Sequence, residues 1–524
     1  MQKCHNVKVY LRSAMDPCVL IRQLGRWQET ASKVIEMLSN ELANSMTHAH
    51  YAFEHRKPTP TLTMSPMDWE QCIVEGHPTH PMHKSRFALP PLDPIPPDAN
   101  LHSPDVRFVC LPRDSVVLGG DYAAQIKRFI PAETLAAVDM DSQVVMPVHP
   151  RQLPNVHALF PQATLLPGVL PTRAQASLRT VVPIDHPEWA IKLCLGIRVT
   201  SAMRTITSWT TFMSTHMREL LDKLVSNTPE TLSSLNVVGS AVVVHPDVEV
   251  SKHLSCLIRE GEAQKISENE MAIACLSLVE RDAQGVPFVQ SAFGLDTCEK
   301  RLAFFERYAK IYLEAFMTPV HKYGFTFEAH SQNTLARFDK TTKQLTGFLV
   351  RDFGGVRCHQ ETLQRTLGES LNVLPGSCCV VDSLDKVYSS AHHTIIQGHM
   401  QGLIRALDLH RCGTGWRVVR SELRRVLPVD SSLYRYLSRP RVALKCFVKM
   451  RIAGMHRSVS SCFDASCIMA KPCSSTLCTQ QIYDTVPNIL LYQGAHHVAW
   501  DDVTVGRTLS REATASNSCI QAPL

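Results

Sequence analysis

The stretch Glu328-Ala-His-Ser-Gln-Asn333, followed by Arg351-Asp-Phe-Gly-Gly355, carries the densest chemistry in this chain. Glu328, Asn333 and Asp352 are hard oxygen donors, the type that holds Mg2+ beside substrate phosphates. Between the two elements, the apolar run Leu345–Val350 follows the polar turn Asp339–Gln344 and predicts a strand. Phe325–Ala329 predicts another. Upstream, Leu302, Phe305, Tyr308, Tyr312 and Phe316 recur at helical intervals. They predict a helix over Thr297–Tyr323 that stops at Gly324.

By itself this pattern resembles a kinase catalytic loop followed by Asp-Phe-Gly. The similarity fails where the chemistry needs it. Ser331 and Gln332 stand where the aspartate base belongs, and the kinase glycine loop and strand lysine are missing. There is also no GxxxxGK[ST], GxGxxG or GxSxG. Glycine is scarce, at 23 in 524 residues against an average near ~7%. Side chains, rather than a glycine-rich backbone loop, must therefore neutralise any bound phosphate.

Three further elements precede the first. In Glu75-Gly-His-Pro-Thr-His-Pro-Met-His-Lys-Ser-Arg86, three histidines invite a zinc reading, but Pro78 and Pro81 forbid the regular helix that zincin spacing needs. In Pro147-Val-His-Pro-Arg-Gln152, a rigid turn after a strand either aims His149 into a cleft or makes it a hydrogen-bonded turn histidine. In Ser177-Leu-Arg-Thr180, Ser177 and Arg179 share one face of an expected strand. Lys192 follows, then Thr200-Ser-Ala-Met-Arg204, whose Thr200 and Arg204 share a face if that segment is helical. Together these cations suit a polyphosphate or polycarboxylate; singly, each reads as part of a solvated basic face.

The chain's length predicts about three domains. Hydrophobic residues at 44% and charged residues at 19% exclude bulk disorder. The net charge of +6 lacks the clustered runs of a nucleic-acid or membrane-surface binder. No apolar run reaches the ~18 residues of a membrane span, and the N-terminus shows no secretory pattern, so a cytoplasmic protein with reduced thiols is expected. Short β-branched runs at Val106–Leu111, Val144–Val148, Thr180–Ile184, Ala190–Leu195 and Val237–Val244 predict antiparallel strands, with one helix near Thr210–Val225. Helices are expected over Trp27–Phe53 and in most of Leu363–His456. From Ser458 the chain is rich in Ser, Thr and Cys and reads as a poorly ordered tail. Cys462, Cys467, Cys473 and Cys478 are too loosely spaced for a zinc knuckle.

In this order, the four elements plus Lys445 and Met450-Arg451 resemble the IucA/IucC family of NRPS-independent siderophore synthetases. The resemblance covers Trp27 to Arg457. It departs from the family pattern at Ala88 (glycine expected), Arg151 (tryptophan expected) and the tail. It implies an α+β cradle with a thumb-like region over 1–125, β-rich antiparallel fingers over 126–298, a largely helical palm over 299–457 and a divergent tail over 458–524. It further implies ATP-dependent adenylation of citrate or a similar polycarboxylate, then condensation with an amine (a diamine favoured) or a hydroxyl nucleophile. A kinase-like phosphotransferase and a degenerate non-catalytic member stay open as alternatives, as does a homodimer.

Carried over by position, Ser177, Arg179 and Lys192 hold the phosphates. Thr200, Arg204 and His330 meet citrate and the reacting phosphate, and Lys445 reaches the carboxylate. Glu328, Asn333 and Asp352 serve Mg2+, while Lys84, Arg86 and His149 join the ATP-binding set.

Overall fold

The β-branched runs between Asp105 and Glu260 pair into a nine-stranded antiparallel sheet. From edge to edge it runs Val116–Gly120, Val237–Val243, Ser255–Glu260, Trp189–Lys192, Thr180–Pro183, Leu170–Ala174, Asp105–Pro112 and Gln143–Val148. Thr164–Leu165 pairs beside Asp105–Pro112. All seven residues of Val237–Val243 are buried, because the helix Ser208–His216 covers one face and Tyr122–Ile126 packs on the other. Gly239 permits that approach: a Cβ there would stand 2.8 Å from Tyr122 Cα. This computed structural model describes residues 16–76, 80, 82–200, 202–228, 230–375, 377–452 and 483–494. His77, Pro78, Pro81 and the four tail cysteines lie outside them.

A second sheet runs Leu232–Ser234, Leu345–Val350, Thr334–Asp339, Glu270–Ala274. Its central hairpin comes from the expected palm and its outer strands from the expected fingers, so hydrogen bonding ties the two segments across position 298. The nine-stranded sheet likewise takes strands from both sides of position 125. Against the second sheet lies the helix Cys298–Tyr323, ended by left-handed Gly324 as expected. Phe305, Tyr308, Tyr312 and Phe316 are buried on it, and the last three meet Phe348 edge-on. The fold is α+β, and no helix among the described residues is long and apolar enough to cross a membrane.

Five local expectations change. The helix expected near Thr210–Val225 is two, Ser208–His216 and Arg218–Ser226. The run Ala190–Leu195 divides between sheets, since Leu195–Val199 leaves to pair with Phe87–Ala88 and Ala202–Arg204. Thr200 and Arg204 thus sit in a hairpin, not a helix, with Thr200 at φ +60°. Ser177 and Arg179 lie in the turn between Leu170–Ala174 and Thr180–Pro183, where Leu178 has φ +64°, so strand alternation does not relate them. Finally, the tail is ordered over Tyr483–Gly494. Tyr483–Pro487 pairs with Arg441–Lys445, and buried Asn488 donates to the Leu437 and Arg439 carbonyls at 2.7 and 2.9 Å. Those bonds satisfy carbonyls at the end of the helix Ser432–Leu437, which a disordered tail would leave open.

Candidate active site

Lys192 rises from the middle of the large sheet and is 7% exposed. Its ammonium donates to both Asp352 carboxylate oxygens at 2.7 Å. Asp352 follows the strand Leu345–Val350 in a left-handed conformation, φ +66°, which turns it out of the hairpin. Burial by itself would raise its carboxyl pKa; Lys192, Arg179 and Arg259 overcome this and hold it well below the usual range. Burial brings the Lys192 ammonium down to about 8, with Asp352 opposing the shift. Arg179 donates to the Thr205 carbonyl at 2.6 Å, and Ser177 Oγ accepts from the Thr180 amide at 3.2 Å.

Glu70 fixes this corner, and sequence reasoning missed it. Its carboxylate takes two bonds from Arg351, at 3.0 and 2.5 Å, and one from the Ala176 amide at 3.0 Å. Arg351 also donates to the Gln332 carbonyl at 3.0 Å. One buried ion pair thus registers the Ser177–Arg179 turn against both the 328–333 loop and Asp352.

The hard-donor residues flank the open end of the hairpin Thr334–Val350. The Arg351 amide donates to the Asn333 carbonyl at 2.9 Å, and Asn333 Nδ2 donates to the Glu328 carbonyl at 3.3 Å. The Glu328 carboxylate occupies the space beside Gly355, where any Cβ would collide with it. Glu328, Asn333 and Asp352 each carry a side-chain oxygen donor, and Mg2+ commonly uses one or two carboxylates plus phosphate oxygens. Among the described residues, no group of three or more His, Cys, Asp or Glu could hold a metal unaided.

The same circuit continues through Arg204, which donates to Thr200 Oγ1 at 3.2 Å, and the Thr200 amide, which donates to the Met82 carbonyl at 3.2 Å. The Met82 amide in turn donates to His80 Nδ1 at 3.1 Å, so that nitrogen is committed within the described part of the histidine loop. His80 packs 4.9 Å from the Phe447 ring, and Lys445 Nζ lies 5.1 Å from the same ring. Phe447 also meets His393, in the π-helical segment His392–Met400. Gly398 of that segment packs against His330: a Cβ there would stand 3.2 Å from His330 Cβ. Such segments often mark functional sites, and periodicity gave no sign of this one.

Lys84, Arg86 and His149 stand outside this circuit of contacts. Burial lowers Lys84 to about 8 and Arg86 to about 10. The Arg86 guanidinium donates to the Ser85 carbonyl at 2.9 Å. His149 is buried, and its Nδ1 accepts from the Arg151 amide at 3.2 Å. Burial lowers its pKa to about 4. Its neighbour Gln152 latches the sheet region, accepting from the Gly196 amide at 2.6 Å and donating to the His253 carbonyl at 2.9 Å.

A second missed residue is Glu41, on the helix Ser32–Glu54. It accepts from Arg198 at 2.6 Å and from Arg451, and both Glu41 and Arg451 are 1% exposed. The sequence held a signal for it. Glu41 falls on the same stripe as Ile35, Leu38 and Leu42, where an acid requires a buried partner.

This arrangement of cations and oxygen donors sits on a known architecture. The fold is similar to that of ATP-bound aerobactin synthetase IucA from a hypervirulent pathotype of Klebsiella pneumoniae. The TM-score is 0.71 at 16% identity, covering 90% of this chain and 86% of that one. The fold is therefore that of siderophore synthetases. By sequence, residues 65–280 match the IucA / IucC family model, and residues 302–456 match one described as ferric iron reductase FhuF-like transporter. The NRPS-independent siderophore synthetase rfs of Rhizopus delemar is 36% identical over 481 residues, 89% of this chain and 72% of that protein. D-ornithine–citrate ligase of Staphylococcus aureus is 26% identical over 378 residues, 65% of this chain and 57% of that protein. The chain belongs to the IucA/IucC family of NRPS-independent siderophore synthetases.

Proposed function

We propose that this synthetase adenylates a carboxylate of citrate or a close polycarboxylate with ATP and then joins it to an amine. One observation carries the reading: Lys192 pairs with Asp352 in the field of Arg179 and Arg259, and the Arg351 amide next to Asp352 donates to the Asn333 carbonyl. Both substrates are anions, so their approach needs fixed cations. The similarity to an ATP-bound synthetase and to a citrate ligase supports these substrates.

Ser177, Arg179 and Lys192 bind the phosphates, with Lys84, Arg86 and His149 as the more distant members of that set. Lys192 exchanges Asp352 for phosphate when the nucleotide enters. Lys445 and Thr200 orient the polycarboxylate, and its free carboxylate oxygen attacks the α-phosphorus. Arg204 and His330 hold the charge that develops there, and pyrophosphate leaves. The amine nitrogen next attacks the acyl carbon, AMP departs with the bonding pair, and the nitrogen loses its proton. Glu328, Asn333 and Asp352 would hold Mg2+, which supplies further charge neutralisation to the phosphates. A cytoplasmic site of action and a primary diamine as nucleophile complete the proposal.

The test is product analysis with citrate, ATP and hydroxylamine. AMP, pyrophosphate and a citryl hydroxamate are expected. ADP without AMP would overturn the ligase reading in favour of a phosphotransferase.

A further inference from the structure

Phe447 stands where three separated elements meet. Its ring lies 5.1 Å from Lys445 Nζ, 4.9 Å from the His80 ring and 5.7 Å from the His393 ring. Lys445 ends the strand Arg441–Lys445, and Phe447 opens the helix Phe447–Ile452 two residues later. The far end of that helix is pinned, because Arg451 pairs with Glu41 in the buried interior. Ile21, Leu38, Met82 and Val448 line the same small gap as the Phe447 ring. The helix that carries the ring is therefore anchored, while the lysine has a long flexible stem.

An ammonium over an aromatic face is attracted by the ring quadrupole, most strongly when water is partly excluded. We infer that Phe447 is a positioning residue: its ring aims the Lys445 ammonium and so sets affinity for the carboxylate substrate. The inference rests on the reading of Lys445 as a carboxylate contact. His393 gives the direction, since its π-helical segment packs against His330 through Gly398.

The experiment compares Phe447→Leu, Phe447→Tyr and Lys445→Met, with steady-state kinetics varying citrate and ATP separately and melting temperatures alongside. Phe447→Leu should raise KM for citrate about 5- to 30-fold, the range for a partly desolvated cation–π contact. KM for ATP and melting temperature should stay near the parent values, and Phe447→Tyr should restore KM for citrate. In the Lys445→Met background, Phe447→Leu should add nothing. If Phe447→Leu melts early, Phe447→Met fills similar volume without a ring face and is read the same way. Lys445→Met with normal KM for citrate would overturn the assignment of Lys445 itself. Lys445→Met with raised KM beside Phe447→Leu with normal KM would overturn this inference alone, as would a Phe447→Tyr enzyme as impaired as Phe447→Leu.

Discussion

Lys192 and Asp352, 160 residues apart, make a two-pronged contact at 2.7 Å between the large sheet and the end of the strand Leu345–Val350. Asp352→Asn should leave a buried ammonium without its counter-charge. The expected loss is about 3 kcal/mol, the low end for a broken buried pair, because a third of the Asp352 side chain is exposed. Lys192→Met with Asp352→Asn should recover most of that stability without recovering ATP–pyrophosphate exchange. Urea unfolding and exchange assays on the single and double variants separate the two effects.

Arg204→Ala should cost about 10²–10³ in turnover, the scale for removing a preorganised charge donor. Arg204→Lys should not restore full activity, since a point charge lacks the planar fork that also reaches Thr200. A near-normal Arg204→Ala enzyme would remove this arginine from the mechanism.

Gly355→Ala forces the Glu328 carboxylate to move, because the new methyl group takes its place. The expected result is a folded protein needing about 10–100-fold more Mg2+ for half-maximal exchange, as when a metal ligand loses its orientation. Unchanged Mg2+ dependence would take Glu328 out of the donor set.

Glu41→Ala should destabilise by about 3–5 kcal/mol, since it strands Arg198 and Arg451 together in the interior. Chemical denaturation measures it directly, and a loss below about 1 kcal/mol would mean the arginines find other partners.

Burial lowers His149 and His392 to about 4 and His399 to about 3. Above pH ~6.5 these groups are neutral whether the chain is folded or not, and they add no pH dependence. Below that, the unfolded chain takes up protons that the native state refuses until pH approaches about 4. Stability should therefore fall as pH drops from ~6.5 to ~4, by up to about 1.4 kcal/mol per unit for each histidine. Urea midpoints at two pH values check this, and His392→Gln should flatten the slope.

Much of this was legible beforehand. The helix Cys298–Tyr323 and its glycine stop follow from apolar spacing, because a buried helix face must repeat at the helical period. Five of the nine strands of the large sheet follow from β-branched runs; Val116–Gly120, Thr164–Leu165, Leu170–Ala174 and Ser255–Glu260 do not. The Thr200–Arg204 segment misled because a spacing of four suits a helix, yet a hairpin with a left-handed Thr200 also brings the two side chains together. The tail misled for the opposite reason: Asn488 looks like any polar residue until its carbonyl partners are in place.

The sequence alone determined which chemistry is present: the order of cations, hard oxygen donors and histidines, and the family they resemble. Those are properties of residue type and spacing, which local reading captures. Only the tertiary structure decided the partners. Glu41 meets Arg451 across 410 positions, and Glu70 meets Arg351 across 281. The helical stripe marks Glu41 as buried, but nothing local names either acid's partner, because what fixes the pair is the burial of both charges in one interior. That exists only once the separate segments have packed together.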